Sequence, residues 1–231
     1  MKTKRETLLK PLQMIVGVVE RKQTLPILAN VLVFIWMWLA GSGQDAIVYQ
    51  FALIPANFLA NINLANVSDI FTSMFMHGGL AHLGGNMLYL WIFGDNVEDR
   101  LGRVGYLIFY LFGGVVASLA HILTNPGSQI PTVGASGAIA AVLGAYLVMY
   151  PQSRVATFIP LGFFMRLTLL PASIVLGLWF VLQLFSGFLS LGGPDVGGVA
   201  FWAHIGGFVA GVVLGLLFRG RRQPTQYIQW S

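Results

Sequence analysis

The chain has 231 residues, of which 56% are hydrophobic and only 9% charged, and it carries a formal net charge of +5. Its mean hydropathy is +0.76. A soluble domain is usually about 25% charged, so this composition excludes a water-facing globular surface and points to an integral membrane protein. The apolar runs are long and lack strand-like alternation, which argues against a transmembrane β-barrel. No cysteine is present, which excludes disulfides and thiolate metal sites.

In chain order, residues 1–24 form a basic arm with Lys2, Lys4, Arg5, Lys10, Arg21 and Lys22. No apolar core with a small-residue cleavage site precedes Leu25, so no cleaved signal is expected. Crossing a bilayer takes about 20 apolar residues. Six stretches approach that, at about 25–41, 81–97, 104–123, 133–150, 167–190 and 199–218. Pro171 falls near the start of the fifth, where first-turn amides need no intrahelical partner. Residues 42–80 are too long and too apolar for a plain connection, and are expected to lie partly in the membrane interface. The expected domain plan is a cytoplasmic arm over 1–24, a six-span domain over 25–219, and a cytoplasmic tail over 220–231.

Charge tests this parse. With six spans and both termini inside, the inner segments hold all 13 Lys and Arg residues, and the outer segments 42–80, 124–132 and 191–198 hold none. That asymmetry is the positive-inside pattern. It also disposes of nucleic acid as a partner, because the basic residues set topology and attract anionic lipid. The lack of targeting extensions points to a prokaryotic cytoplasmic membrane. Oligomeric state is not legible.

Polar residues inside spans are costly and functional by default. Spans two, four and six all run from outside to inside, and each opens with a polar motif: "HLGGN", "GASG" and "AHIGG". His82, Asn86, Ser136 and His204 therefore meet near the outer ends of their helices. Ser136 is expected about five residues into its apolar stretch, roughly 7–8 Å below its outer end. His204, Gly207, Gly211 and Gly215 share one helical face, and glycines at four-residue spacing allow close helix approach. Ser136, Ala140 and Gly144, with Gly137, Ala141 and Ala145 beside them, form the matching rows on span four.

A serine hydroxyl becomes a good nucleophile when a base takes its proton, and a neutral histidine can do so and then protonate a leaving amine. Spans four and six contain no acid, so the pattern favours a Ser136–His204 dyad over a triad. The oxyanion needs donors, which His82, Asn86 and the Ser136 amide near its helix start would supply. Gly134 and Gly137 would let a substrate backbone approach. Two other classes remain open on residues alone: a transporter or channel, and a non-catalytic binder of membrane proteins. His77, before the second span, reads as a loop or interfacial residue, and His121 as a local hydrogen-bonding group. The tryptophans Trp36, Trp38, Trp91, Trp179 and Trp202 read as lipid-facing or interfacial anchors.

With these motifs, and with "GDNVEDRLG" at 94–102, the sequence resembles the rhomboid family of intramembrane serine proteases over roughly residues 66–218. The resemblance implies an all-α polytopic bundle of six transmembrane helices around a water-accessible cavity that opens outward. It implies Ser136 as nucleophile, His204 as base and acid, and oxyanion support from His82, Asn86 and the Ser136 amide. Substrates would be other membrane proteins, cut in or near a transmembrane helix, with the fifth span as a mobile gate. No metal or organic cofactor is expected. Two departures stand out. Some members carry a Trp-Arg pair in the first outer loop, and residues 42–80 contain neither. Some bacterial members place a tyrosine four residues after the nucleophile, where this chain has Ala140.

Overall fold

A computed structural model describes residues 25–161, 164–191 and 198–219. The basic arm, the C-terminal tail and Asp195 of the last outer loop lie outside the described residues. Helix α1 (Leu25–Leu39) turns through a 3₁₀ segment (Gly41–Gly43) into α2 (Gln44–Phe51), and the axis bends there by 111°. Two short helices follow, α3 (Pro55–Ala60) and α4 (Leu64–Ser73). Pro55 occupies the first turn of α3, and the Asn63 side chain caps α4 by accepting from the Asn66 amide at 2.9 Å. The segment expected at the interface is thus a set of short helices set off from α1 by that bend.

Residues 80–101 form one continuous helical run: α5 (Leu80–Tyr89), a π turn (Leu90–Gly94) and α6 (Asp95–Leu101). Gly102, at φ +73°, ends it. Helix α7 (Arg103–Thr124) follows directly, and α8 (Ser136–Met149) comes after an extended segment. An antiparallel hairpin, β1 (Arg154–Leu161) with β2 (Phe164–Pro171), leads into α9 (Ala172–Ser190), and α10 (Phe201–Phe218) completes the described chain.

Helix α8 is the centre of the bundle. It is apolar on every side, and each residue from Gly137 to Tyr146 is buried. Helices α7, α9 and α10 surround it and turn large apolar side chains outward, among them Ile108, Phe112, Leu178, Phe185 and Leu217. An apolar exterior around a small-residue core is what a bilayer solvent permits. Helices α7, α9 and α10 are each long and apolar enough to cross a membrane. Asn30 in α1 is fully buried and donates to the Pro26 carbonyl at 2.7 Å and toward the Tyr110 hydroxyl at 3.4 Å, tying α1 to α7.

Two boundaries differ from the sequence reading. The fifth apolar helix starts at Ala172, not 167, because Val155–Ile159 and Leu167–Leu170 pair as strands and Pro171, in extended conformation, marks the switch to helix. The bundle is therefore mostly helical rather than all-α. Helix α8 starts at Ser136, not 133. Gly134 takes φ +131°, which prevents helix ahead of it.

Candidate active site

Residues 131–134 run as an extended segment held by the chain between α2 and α3 and by the end of α4. Thr132 and Leu53 exchange backbone hydrogen bonds at 2.8 and 3.3 Å, and the Gly134 amide donates to Ser73 at 2.9 Å. The Thr132 hydroxyl meets His121 Nε2 at 3.1 Å, and Asn125 Nδ2 lies 3.2 Å from His121 Nδ1. His121 thus makes a local hydrogen bond, as its position suggested, and also fastens the strand that delivers Ser136.

Ser136 is the first residue of α8. Its amide therefore belongs to the group that has no intrahelical acceptor, and the positive end of the helix lies at its hydroxyl. Ser136 Oγ lies 2.8 Å from His204 Nε2. His204 is buried in the first turn of α10, and its Nδ1 lies 2.8 Å from Gln183 Oε1 of α9. The Trp179 ring packs on the His204 ring with centroids 5.8 Å apart.

His82 approaches from α5. A Cβ on Gly134 would sit 2.8 Å from His82 Cε1 and Nε2 and 3.7 Å from Ser136 Oγ, so only glycine fits there, and the imidazole edge lies beside the hydroxyl. Asn86 is one turn further along α5, buried, with its Nδ2 donor unpartnered. Gly137 lies against Ala117 and Ala203. A cavity of about 980 Å³ opens beside the serine and histidine. His82, Ser136, Gly137 and His204 line it together with residues of the α7–α8 connection such as Asn125 and Ser128; Asn86 does not. The predicted packing face is present as well. Gly207, Gly211 and Gly215 sit on Gly137, Ala141 and Ala145, close enough that methyl groups on Gly207 and Gly211 would overlap the carbonyls of Gly137 and Ala141.

His77 lies in the turn ahead of α5, the loop position read from the sequence, and is fully buried there, with its ring 5.0 Å from that of His82. Trp179 covers His204 and Phe208, and Trp202 donates to the Gly187 carbonyl at 3.1 Å, so neither is a simple lipid anchor. Gln183 was missed. Its signal was an amide in an otherwise apolar run, one turn after Trp179. Among the described residues, no cluster of three His, Asp or Glu side chains suits a metal ion.

A half-buried serine hydrogen-bonded to a buried histidine, each in the first turn of an apolar helix, fits an integral multi-pass membrane protein with a hydrolase-like site. The family model described as the Rhomboid domain matches residues 64–221, and the chain belongs to the rhomboid family. It is 33% identical over 145 residues to the human protein "Presenilin-associated rhomboid-like protein, mitochondrial", a match covering 62% of this chain and 36% of that one. It is 39% identical over 85 residues to "Rhomboid protease GluP" of Bacillus subtilis, covering 37% of this chain and 16% of that protein. Against "Rhomboid protein 1, mitochondrial" of Saccharomyces cerevisiae, identity is 32% over 95 residues, 39% of this chain and 28% of that one. The matches thus span only about a third or less of these relatives' lengths.

Proposed function

We propose that this protein is an intramembrane serine endopeptidase that hydrolyses peptide bonds in or near transmembrane helices of other membrane proteins. The observation that carries the reading is the 2.8 Å approach of Ser136 Oγ to His204 Nε2 beside a large cavity that both residues line. The family and its protease-named member support the same chemistry.

In this reading His204 takes the Ser136 proton as Oγ attacks the scissile carbonyl. The oxyanion is met by the Ser136 amide, by His82 and by Asn86, whose Nδ2 has no hydrogen-bond partner. His204 then gives the proton to the leaving amine, and a water from the cavity repeats the sequence to release the acyl chain. Gly134 and Gly137 leave room for the substrate backbone. The close seating of Gly207 and Gly211 holds the serine helix against the histidine helix.

The topology proposed is six spans: α1, the 80–101 run, α7, α8, α9 and α10, with both termini on the inner side and the cavity opening outward. The one-sided Lys and Arg distribution supports it. Relatives occur in mitochondria and in a bacterium, so the expectation of a prokaryotic membrane gains no separate support.

The test is labelling of the purified, detergent-solubilised protein with a fluorophosphonate. Labelling of the wild type, lost in folded Ser136→Ala and His204→Ala variants, is expected. A folded wild type that stays unlabelled at saturating reagent would overturn the reading.

A further inference from the structure

The His204 ring is covered on one side by Trp179 and bonded at both nitrogens. The described hydrogen-bond partners of that ring are Ser136 and Gln183. We propose that Gln183 is the positioning residue for the proposed base, and that the seating of α9 on α10 thereby sets whether His204 is competent. The inference rests on the dyad reading above.

Tautomer chemistry comes first. A neutral imidazole carries one N–H, and what the other nitrogen meets decides where it sits. An amide oxygen can only accept. With Gln183 Oε1 2.8 Å from Nδ1, the proton belongs on Nδ1. The Nε2 lone pair then faces Ser136 Oγ–H at 2.8 Å, the arrangement a base requires. Without that acceptor the ring is free to place its proton on Nε2, where it would point at the serine and block proton transfer.

The helix that brings Gln183 comes second. Trp179, Gln183 and Gly187 follow at four-residue spacing along one face of α9. Trp179 covers His204 and Phe208. The Gly187 carbonyl accepts from Trp202 Nε1 at 3.1 Å. A Cβ on Gly187 would come 2.9 Å from Ile205 Cδ1 and 3.5 Å from Phe201 Cβ, so its bare Cα sets the approach. Ala172 and Leu176 are buried and Phe180 stacks on Phe208 with centroids 4.4 Å apart, while the opposite face of α9 points outward: Leu178 is 60% exposed, Val181 58% and Phe185 63%. Any shift of α9 away from α10 carries Gln183 with it. The cost of an amide in an apolar span is offset only while the pair is made.

The experiment compares wild type, Gln183→Met, Gln183→Glu and Gly187→Leu, each full-length in detergent and checked for folding by thermal melting. The imidazole ¹⁵N resonances of histidine-labelled protein are assigned for His204 by difference with His204→Ala, since the chain has four histidines. Wild type is expected to hold the Nδ1-protonated form. Gln183→Met, similar in shape but without the acceptor, is expected to give a mixture and to slow fluorophosphonate labelling roughly ten- to hundred-fold. Gln183→Glu keeps an oxygen in place and is expected to retain the tautomer and labelling within about fivefold. Gly187→Leu wedges α9 away with Gln183 intact and is expected to lose the tautomer too; its retention there would overturn the seating claim.

An unchanged tautomer in folded Gln183→Met, or labelling within twofold of wild type, would overturn the positioning role. If Gln183→Met does not fold, loss of the tautomer or of labelling in folded Gln183→Glu would overturn it instead. Wild type that resists the fluorophosphonate while its tautomer still depends on Gln183 would sink the protease reading and leave the ring assignment standing.

Discussion

Gly207 of α10 faces Gly137 of α8 so closely that a methyl group on Gly207 would overlap the Gly137 carbonyl oxygen and lie 3.4 Å from Ala117 Cβ. Gly137 follows Ser136 directly, so this contact sets both the stability of the bundle and the register of serine against histidine. Gly207→Ala should cost about 1–3 kcal/mol through overpacking, lower the melting temperature in detergent, and abolish labelling of Ser136. A variant that melts and labels like wild type would mean that the two helices slide apart without consequence.

Asn86 separates catalysis from stability. Its Nδ2 is buried and unpartnered, and an unmet buried donor is a cost to the folded protein. If it serves a developing oxyanion, Asn86→Leu should slow labelling by about 10²- to 10³-fold while melting stays level or rises. Slower labelling together with a lower melting temperature would assign Asn86 to packing.

His77 should make stability depend on acid. It lies in the turn ahead of α5, outside the spans, and burial, with the neighbouring His82 charge adding to it, pushes its imidazole from 6.5 down to about 4. The folded protein therefore binds this proton less readily than the unfolded chain. Stability is full above about pH 6.5 and falls as pH drops from there toward about 4. Melting of His77→Phe measured across that window should fall less steeply than wild type. Equal slopes would place the acid sensitivity elsewhere.

At the end of α10 away from His204, Arg100 acts as a cap. Its Nε donates to the Phe218 carbonyl at 3.2 Å and its Nη2 to the Arg219 carbonyl at 2.6 Å, closing the last turn of α10 from a distant part of the chain. Arg100→Ala should lower stability by about 0.5–1 kcal/mol, and Arg100→Lys should not restore it, since one ammonium cannot reproduce the fork. Full rescue by lysine in a melting assay would reduce the contact to simple charge.

Much of this was legible from residue order. Hydropathy located the apolar helices, and the motif order brought Ser136 toward His204, because two intramembrane polar groups on helices of like direction have few other places to go. The glycine spacing of α10 found its partner row. Periodicity describes one helix at a time, however, and what it missed lies between helices. Gln183 and Trp179 gain meaning only when α9 is laid across α10. The hairpin of 154–171 was missed because its first strand fell in the connection between apolar stretches and Leu167–Leu170 reads equally as the start of an apolar helix. The helix start at Ser136 depended on the conformation of Gly134, which no spacing rule states.

Helix α8 has 14 residues, which at about 1.5 Å per residue makes it some 21 Å long against a hydrocarbon thickness of about 30 Å. Exposed to lipid, such a mismatch would draw the bilayer thin around it. Its neighbours bury it from Gly137 to Tyr146, which shields that length from acyl chains, and the extended residues 131–134 lead into it. The depth of the serine hydroxyl and the fit of the molecule to its membrane are thus independent variables. The rim helices α7, α9 and α10 can be retuned to a thicker or thinner bilayer while the plane of bond cutting proposed here stays where residues 131–134 put it.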